Sequence, residues 1–159
     1  MKRTNLTLIG FVLLFATACN DHGYTEFDKE TFHTHWEKWL DMQIIDYRFR
    51  VSYFADAGPE EAIIHVKNGS IQSVEMIPDM PHSFCSRFHS VTAMYEDIAS
   101  AYADHSEQIK NREIQGVTVK IKYNARYHFP EEVNYYVTYD EAKCDGYWYS
   151  LKITGFTVL

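Results

Sequence analysis

Three cysteines, Cys19, Cys85 and Cys144, are the first candidates for chemistry in this chain. Cys19 directly follows the small residues Ala16 to Ala18, and small residues suit a signal peptidase that must grip an extended backbone. Cleavage before Cys19 would offer its thiol for acylation. We therefore expect Cys19 to carry lipid. The alternative is an ordinary secretory signal that leaves Cys19 as a free thiol.

Cys85 and Cys144 could form a disulfide, remain as separate thiols or bind a metal ion. In an oxidising compartment Cys85 and Cys144 favour a disulfide, which would stabilise the fold by about 4 kcal/mol because the closed loop is long. The alternatives are two separate thiols, or a tetrahedral zinc site that adds His82 and His89 as ligands. The spacing matches no zinc signature, so no metal and no other cofactor is predicted.

The most suggestive candidates for binding are aromatic residues. Tyr147, Trp148 and Tyr149 are consecutive in a predicted strand, so Trp148 should point to the opposite face from both tyrosines. Tyr136 follows Tyr135 in another predicted strand. Tyr and Trp combine a large apolar area with a polar tip, which favours interfaces, although both are also good strand formers. We predict a binding patch of Tyr136, Tyr147, Trp148 and Tyr149.

No catalytic motif is found in the sequence. It lacks a Gly-x-Ser-x-Gly elbow, a His-Glu-x-x-His pair, a Cys-x-x-Cys pair and a phosphate-binding glycine loop. The pairs Glu60-Glu61 and Glu131-Glu132 are expected to be solvated. His33 and His35 are two apart on a predicted helix, so they should point to different sides and be solvated or at the helix edge. No residue is assigned a catalytic role.

Net charge narrows the range of partners. The formal net charge is −7 at pH 7 over 159 residues, and removal of Lys2 and Arg3 with a leader makes the mature chain more acidic still. An acidic chain without a Lys/Arg cluster is unsuited to nucleic acid and to electrostatic binding of anionic lipid headgroups. Membrane attachment therefore requires a covalent anchor or a spanning segment.

The N-terminal residues resemble a bacterial lipoprotein signal. Lys2 and Arg3 precede an uncharged run, Leu6 to Ala18, that is shorter than the ~20 apolar residues of a membrane span. Ala16 stands where the lipoprotein box prefers Leu. The resemblance implies a diacylglyceryl thioether on Cys19 and a further acyl chain on its amine, an effectively permanent anchor. We expect the periplasmic face of the outer membrane, with the inner membrane as the alternative.

Hydrophobic periodicity divides the chain into three parts. Residues 1–18 are a signal peptide, 19–27 hold the lipidated cysteine and a short tether, and 28–159 form one domain. The pattern predicts helix, three strands, helix, three strands, with Asp28 and Ser90 as N-caps and a tight hairpin at Asn68-Gly69. We therefore predict an α+β fold, a mainly antiparallel sheet of about six strands with two helices packed on one face.

The same elements resemble a known family. The segments that carry the resemblance are the helix around Trp36, Asp46 to Phe49, the Val66 to Ile71 hairpin, the Ser90 to Ile98 helix, Val117 to Tyr123, Phe129-Pro130 and Ile153 to Phe156. They resemble small bacterial secreted and lipid-anchored domains classed as a domain of unknown function, numbered 6174. Many members have two cysteines after the first strand, where this chain has Tyr53 to Asp56. The resemblance implies a fold and a location but no reaction.

Our first functional hypothesis is a non-catalytic module that binds a protein or envelope component through the uncovered sheet face. One alternative is an envelope hydrolase with a cleft beside Cys85 and Cys144, and another is an inhibitor or immunity-type lipoprotein. A deep pocket with clustered histidine and carboxylate side chains would favour the enzyme. A shallow aromatic face would favour binding.

Overall fold

The computed structural model describes residues 23–56, 58–77, 88–139 and 146–159. Over these ranges the chain forms one seven-stranded sheet in the order β1-β5-β6-β7-β2-β3-β4, with two helices. The elements are β1 (Tyr24–Glu26), α1 (Lys29–Asp41), β2 (Tyr47–Ala55), β3 (Gly58–Lys67), β4 (Ser70–Met76), α2 (Val91–Lys110), β5 (Gly116–Tyr123), β6 (Pro130–Thr138) and β7 (Trp148–Val158). All strand pairs are antiparallel except β1 with β5. The predicted α+β class and mainly antiparallel sheet are confirmed.

The predicted count of six strands and the predicted element order are wrong because of β1. This strand precedes α1 and pairs in parallel with the first three residues of β5. The Tyr24 hydroxyl lies 2.8 Å from Thr138 Oγ1, and its ring lies across Gly116, where a Cβ would come within 2.6 Å of it. A three-residue strand with no buried residue has no alternation that a sequence pattern could show.

The local signals of the sequence are confirmed. Asp28 Oδ1 accepts a hydrogen bond from Thr31 N at 3.0 Å, and Ser90 Oγ accepts one from Ala93 N at 3.3 Å, so each helix begins at its predicted cap. In the β3–β4 hairpin, Asn68 and Gly69 both have positive φ, at 51° and 74°.

Both helices pack on the same face of the sheet. Trp39 of α1 lies edge-on against Tyr47 of β2, with ring centroids 5.5 Å apart, and its Nε1 donates to Thr92 Oγ1 of α2 at 3.1 Å. The buried residues of α2 recur at helical spacing: Val91, Met94, Tyr95, Ile98 and Tyr102. Leu40 of α1 is 50% exposed, although the preceding residue, Trp39, is buried. Over the ranges given above, neither helix is long and apolar enough to cross a membrane.

Candidate functional site

The structure divides the four predicted binding residues into two pairs on opposite faces of the sheet. Tyr136 of β6 and Trp148 of β7 are cross-strand partners on the face of the sheet that no described helix covers. Tyr149 is 7% exposed on the helix-covered face, and Tyr147 lines a cavity on that same side. The alternation of a β-strand separates them, because neighbouring side chains point to opposite faces.

The open-face aromatic patch consists of Phe54, Tyr136 and Trp148. Phe54 pairs with Ser150, two positions along β7 from Trp148, so it shares their face. Its ring centroid lies 5.2 Å from that of Trp148, with the ring planes at 55°. Phe54 and Tyr136 are 45% and 44% exposed. Sequence reasoning missed Phe54, although an aromatic residue at an exposed position of the alternating β2 pattern was the available signal.

Ion pairs lie on the same face as the patch, beyond Asn134 and Ser150. Lys122 Nζ lies 3.1 Å from Glu131 Oε2, and Lys152 Nζ lies 2.9 Å from Glu132 Oε1. The hydrogen bond from Lys152, together with the charges of both lysines, lowers the pKa of Glu132. Such half-exposed pairs add little stability, but they leave this part of the face with little uncompensated charge.

On the helix-covered side, a cavity of about 300 Å³ lies between α2 and the sheet. Its lining combines aromatic, aliphatic and polar side chains: Tyr53, His89, Met94, Asp97, Ile98, Val133, Tyr147, Tyr149 and Leu151. We call it the tyrosine cavity. Its volume is at the lower end of the range for small-molecule sites.

Tyr149 is the centre of an aromatic stack beside this cavity. Its ring is stacked with Tyr53 at 5.5 Å and with Tyr135 at 5.3 Å, and it meets Tyr147 edge-on at 6.0 Å. Burial, followed by the charge of Asp97, raises the pKa of Tyr149. The phenol therefore remains protonated at neutral pH and can donate a hydrogen bond but cannot supply a negative charge.

A histidine extends the stack. His105 Nδ1 lies 2.7 Å from the Tyr135 hydroxyl, and the His105 ring is stacked on Tyr147 at 6.1 Å. Burial lowers the pKa of His105 and raises that of Tyr135. Both shifts favour the neutral forms, so this is a neutral hydrogen bond that positions Tyr135 rather than an activated nucleophile.

A pair of histidines, His35 and His128, joins α1 to the turn before β6. His35 Nδ1 lies 3.3 Å from His128 Nδ1, and the His35 ring is stacked on Tyr123 with centroids 3.9 Å apart. Burial, then the His128 charge, lowers the pKa of His35. His33 is exposed, as predicted, whereas His35 is half-buried in this contact. Sequence reasoning missed the pair because its members are 93 positions apart.

The lowered histidine pKa values predict that acid destabilises the fold. The pKa values of His35 and His105 lie below their ordinary value of 6.5, so the unfolded chain binds protons more tightly than the folded chain. Stability is then full above about pH 6.5 and falls as pH drops through that value toward the folded pKa values.

Thermal melts at pH 8 and pH 5 test this prediction. The melting temperature of the His35→Gln variant should fall less between pH 8 and pH 5 than that of the wild type, because one titrating group has been removed. The matched control is His33→Gln on the same helix, which should retain the full difference. An equal pH effect in His35→Gln and His33→Gln would contradict the assignment.

The expectation that Glu60-Glu61 is solvated is wrong for Glu60. This residue is 4% exposed, and its Oε2 has no hydrogen-bond partner among the described residues. It pairs with Tyr53 of β2, whose side chain faces the core, so strand alternation places it on the buried side. Glu61 faces the other side and lies 3.3 Å from Arg50.

The cysteine predictions lie outside the described residues. Cys19, His82, Cys85 and Cys144 all fall there, so the disulfide, the zinc alternative and the hydrolase cleft stay predictions. His89, the remaining ligand of the zinc alternative, lines the tyrosine cavity. Among the residues that the structure describes, no three His, Cys, Asp or Glu side chains cluster closely enough to hold a metal ion.

Comparison with known proteins gives one match. Residues 31–157 match the model of a family described as a family of unknown function, DUF6174. No curated protein and no solved structure matches the chain.

Proposed function

Since the chain belongs to the DUF6174 family, which is a family of unknown function, we propose from its geometry that it is a lipid-anchored periplasmic module that binds a protein partner. The observation that carries the proposal is the open-face aromatic patch, in which the exposed rings of Phe54 and Tyr136 flank the half-buried Trp148 on a face that no described helix covers. Large rings that remain exposed in a cluster mark interaction surfaces more often than rings that are exposed singly.

The surroundings of the patch favour a protein over a charged polymer. The next residues on the same face are the uncharged Asn134 and Ser150, which pair with each other. The lysine charges on this face, those of Lys120, Lys122 and Lys152, are each paired with a glutamate of the domain. An aromatic centre free of charge, bordered by polar groups, is the typical anatomy of a protein–protein interface.

The position of β1 supports an envelope partner. Glu26 at the end of β1 pairs with Thr118, and Thr118 pairs with Tyr136, so the N-terminal segment enters at the end of the sheet that carries the patch. Tyr24 lies five positions after Cys19, a reach of at most about 18 Å. Lipid on Cys19 would therefore hold the patch close to the bilayer.

The location rests on the sequence alone. The signal pattern before Cys19 supports export and acylation, and Asn20 is not the aspartate that most strongly retains lipoproteins at the inner membrane. We therefore propose the periplasmic face of the outer membrane. No contact among the described residues favours the hydrolase or the inhibitor or immunity alternative.

Site-specific photocrosslinking in cells tests the proposal. A photoreactive residue at position 136 should give one discrete protein adduct, and the same residue at position 40 should give none. Leu40 is the matched control, since it is equally exposed but lies on α1, on the other side of the sheet. With the purified partner, Tyr136→Ser and Phe54→Ser should each weaken binding by about tenfold or more, as expected for aromatic hot spots.

Several outcomes would contradict the proposal. An adduct with a second copy of the chain would indicate self-association, and an adduct with lipid or glycan would indicate a different ligand. Equal crosslinking at positions 136 and 40 would remove the role of the patch. Unchanged affinity in both serine variants would do the same.

A further inference from the structure

We propose that the tyrosine cavity is a binding site for a small organic cation, an ammonium group with a compact apolar body. The site combines aromatic walls, one carboxylate and an aliphatic floor, all in the lining of the cavity. It lies on the opposite side of the sheet from the open-face aromatic patch, so it does not depend on the function proposed for that patch.

The size and floor of the cavity suit the apolar body of such a ligand. A volume of about 300 Å³ admits one small molecule rather than a peptide or a glycan chain. Met94 and Ile98 of α2 face Val133 and Leu151 of the sheet across it. Methyl groups placed against these side chains would leave water, which favours binding.

The aromatic walls suit the charge of the ligand. Tyr147 lines the cavity and is 41% exposed, so its ring can meet a ligand, whereas the faces of the buried Tyr149 ring are stacked with Tyr53 and Tyr135. The face of an aromatic ring carries negative potential and attracts a cation placed over it. The exposed ring of Tyr147 can therefore contact an ammonium group from one side.

Asp97 makes the electrostatic potential in the cavity negative. It supplies the carboxylate of the described lining, which contains no Lys or Arg, and His89 is the basic side chain there. The charge of Asp97 contributes to the raised pKa values of Tyr149 and Tyr135, so its field reaches the aromatic stack. The same field would stabilise a bound cation and repel an anion.

Calorimetric titration of the full chain in non-ionic detergent provides the test, with choline as the probe. Choline should bind saturably, and its neutral isostere 3,3-dimethylbutan-1-ol should bind at least tenfold more weakly, because the two differ only in charge. Glycerophosphocholine is the third ligand to be titrated. If it binds more tightly than choline, the source of the cation is a lipid headgroup. If it binds more weakly than choline, the source is a free amine.

Matched variants connect binding to the cavity. Asp97→Asn keeps the shape of the side chain and should weaken choline binding at least tenfold, and Tyr147→Leu should weaken it about fivefold. Glu96→Gln is the control, because Glu96 is the neighbouring exposed acid on α2 and does not line the cavity. It should change the affinity less than twofold.

Three results would overturn the inference. The first is the absence of saturable choline binding, and the second is equal affinity for choline and its isostere. The third is an equal change in choline affinity in Asp97→Asn and Glu96→Gln. The last result would show that net charge alone, rather than the cavity, attracts the cation. Circular dichroism of each variant confirms that the fold is retained, which is expected since Asp97 and Tyr147 are both exposed.

Discussion

Replacement of Tyr95 by alanine is expected to lower the free energy of unfolding by about 4 kcal/mol. Tyr95 is fully buried, its ring is stacked on Trp36 at 5.7 Å, and it meets Phe32 edge-on at 5.3 Å. Its hydroxyl donates to the backbone oxygen of His128 at 2.6 Å. The substitution therefore leaves a cavity between α1 and α2 and removes the hydrogen bond that holds the turn before β6.

Two further variants separate the contributions of ring and hydroxyl. Tyr95→Phe should cost about 1 kcal/mol, since only the hydrogen bond to His128 is lost. Tyr136→Ala, which removes an exposed tyrosine ring, should change stability by no more than about 0.5 kcal/mol. Urea denaturation followed by circular dichroism measures all three variants. A Tyr95→Ala effect as small as that of Tyr136→Ala would mean that the two helices do not share this core.

Replacement of Cys19 by serine is expected to move the chain from the membrane fraction to the soluble fraction, by more than tenfold. A serine cannot form the thioether that attaches diacylglycerol. Two or more acyl chains hold a protein on a membrane effectively permanently, at ~0.8 kcal/mol per buried methylene, whereas the acidic domain has no electrostatic attraction to replace them. Fractionation and mass spectrometry of the mature N-terminus measure the effect.

The control for this experiment is Cys85→Ser, which should stay in the membrane fraction. If Cys19→Ser also remained there, or if the wild type were recovered as an unacylated soluble protein, the lipid anchor would be wrong. The binding module would then lose its proposed location, although the open-face aromatic patch would remain. The two proposals can therefore fail separately.

Elements defined by neighbouring residues could be predicted from the sequence. Strict alternation fixed the buried face of β2, and side-chain oxygens at Asp28 and Ser90 fixed the start of each helix. The hairpin at Asn68-Gly69 depends on two adjacent residues that tolerate positive φ. In each case the determining contacts span four residues or fewer, so a linear pattern contains them.

Contacts between distant residues could not be predicted in this way. The His35–His128 pair depends on how α1 crosses the turn before β6, and the burial of Glu60 depends on its pairing with Tyr53. The candidate site contains one feature that a local pattern predicted and others that depend on contacts between distant residues. Alternation correctly separated Trp148 from Tyr149, but only the strand order could show that Phe54 joins Trp148 and that α2 covers Tyr149.

The short edge strand β1 determines how the domain responds to mechanical load. A force that pulls on the N-terminal end acts first on Tyr24–Glu26, which is held by only three pairs along β5. Peeling this strand would release Tyr24–Glu26 and add roughly 10 Å of length before the force reaches Phe27, whose ring packs against Phe32 and Tyr102. Because this strand buries no residue, it can be peeled away without opening the core, and Phe27 is the first residue at which the load would reach the core.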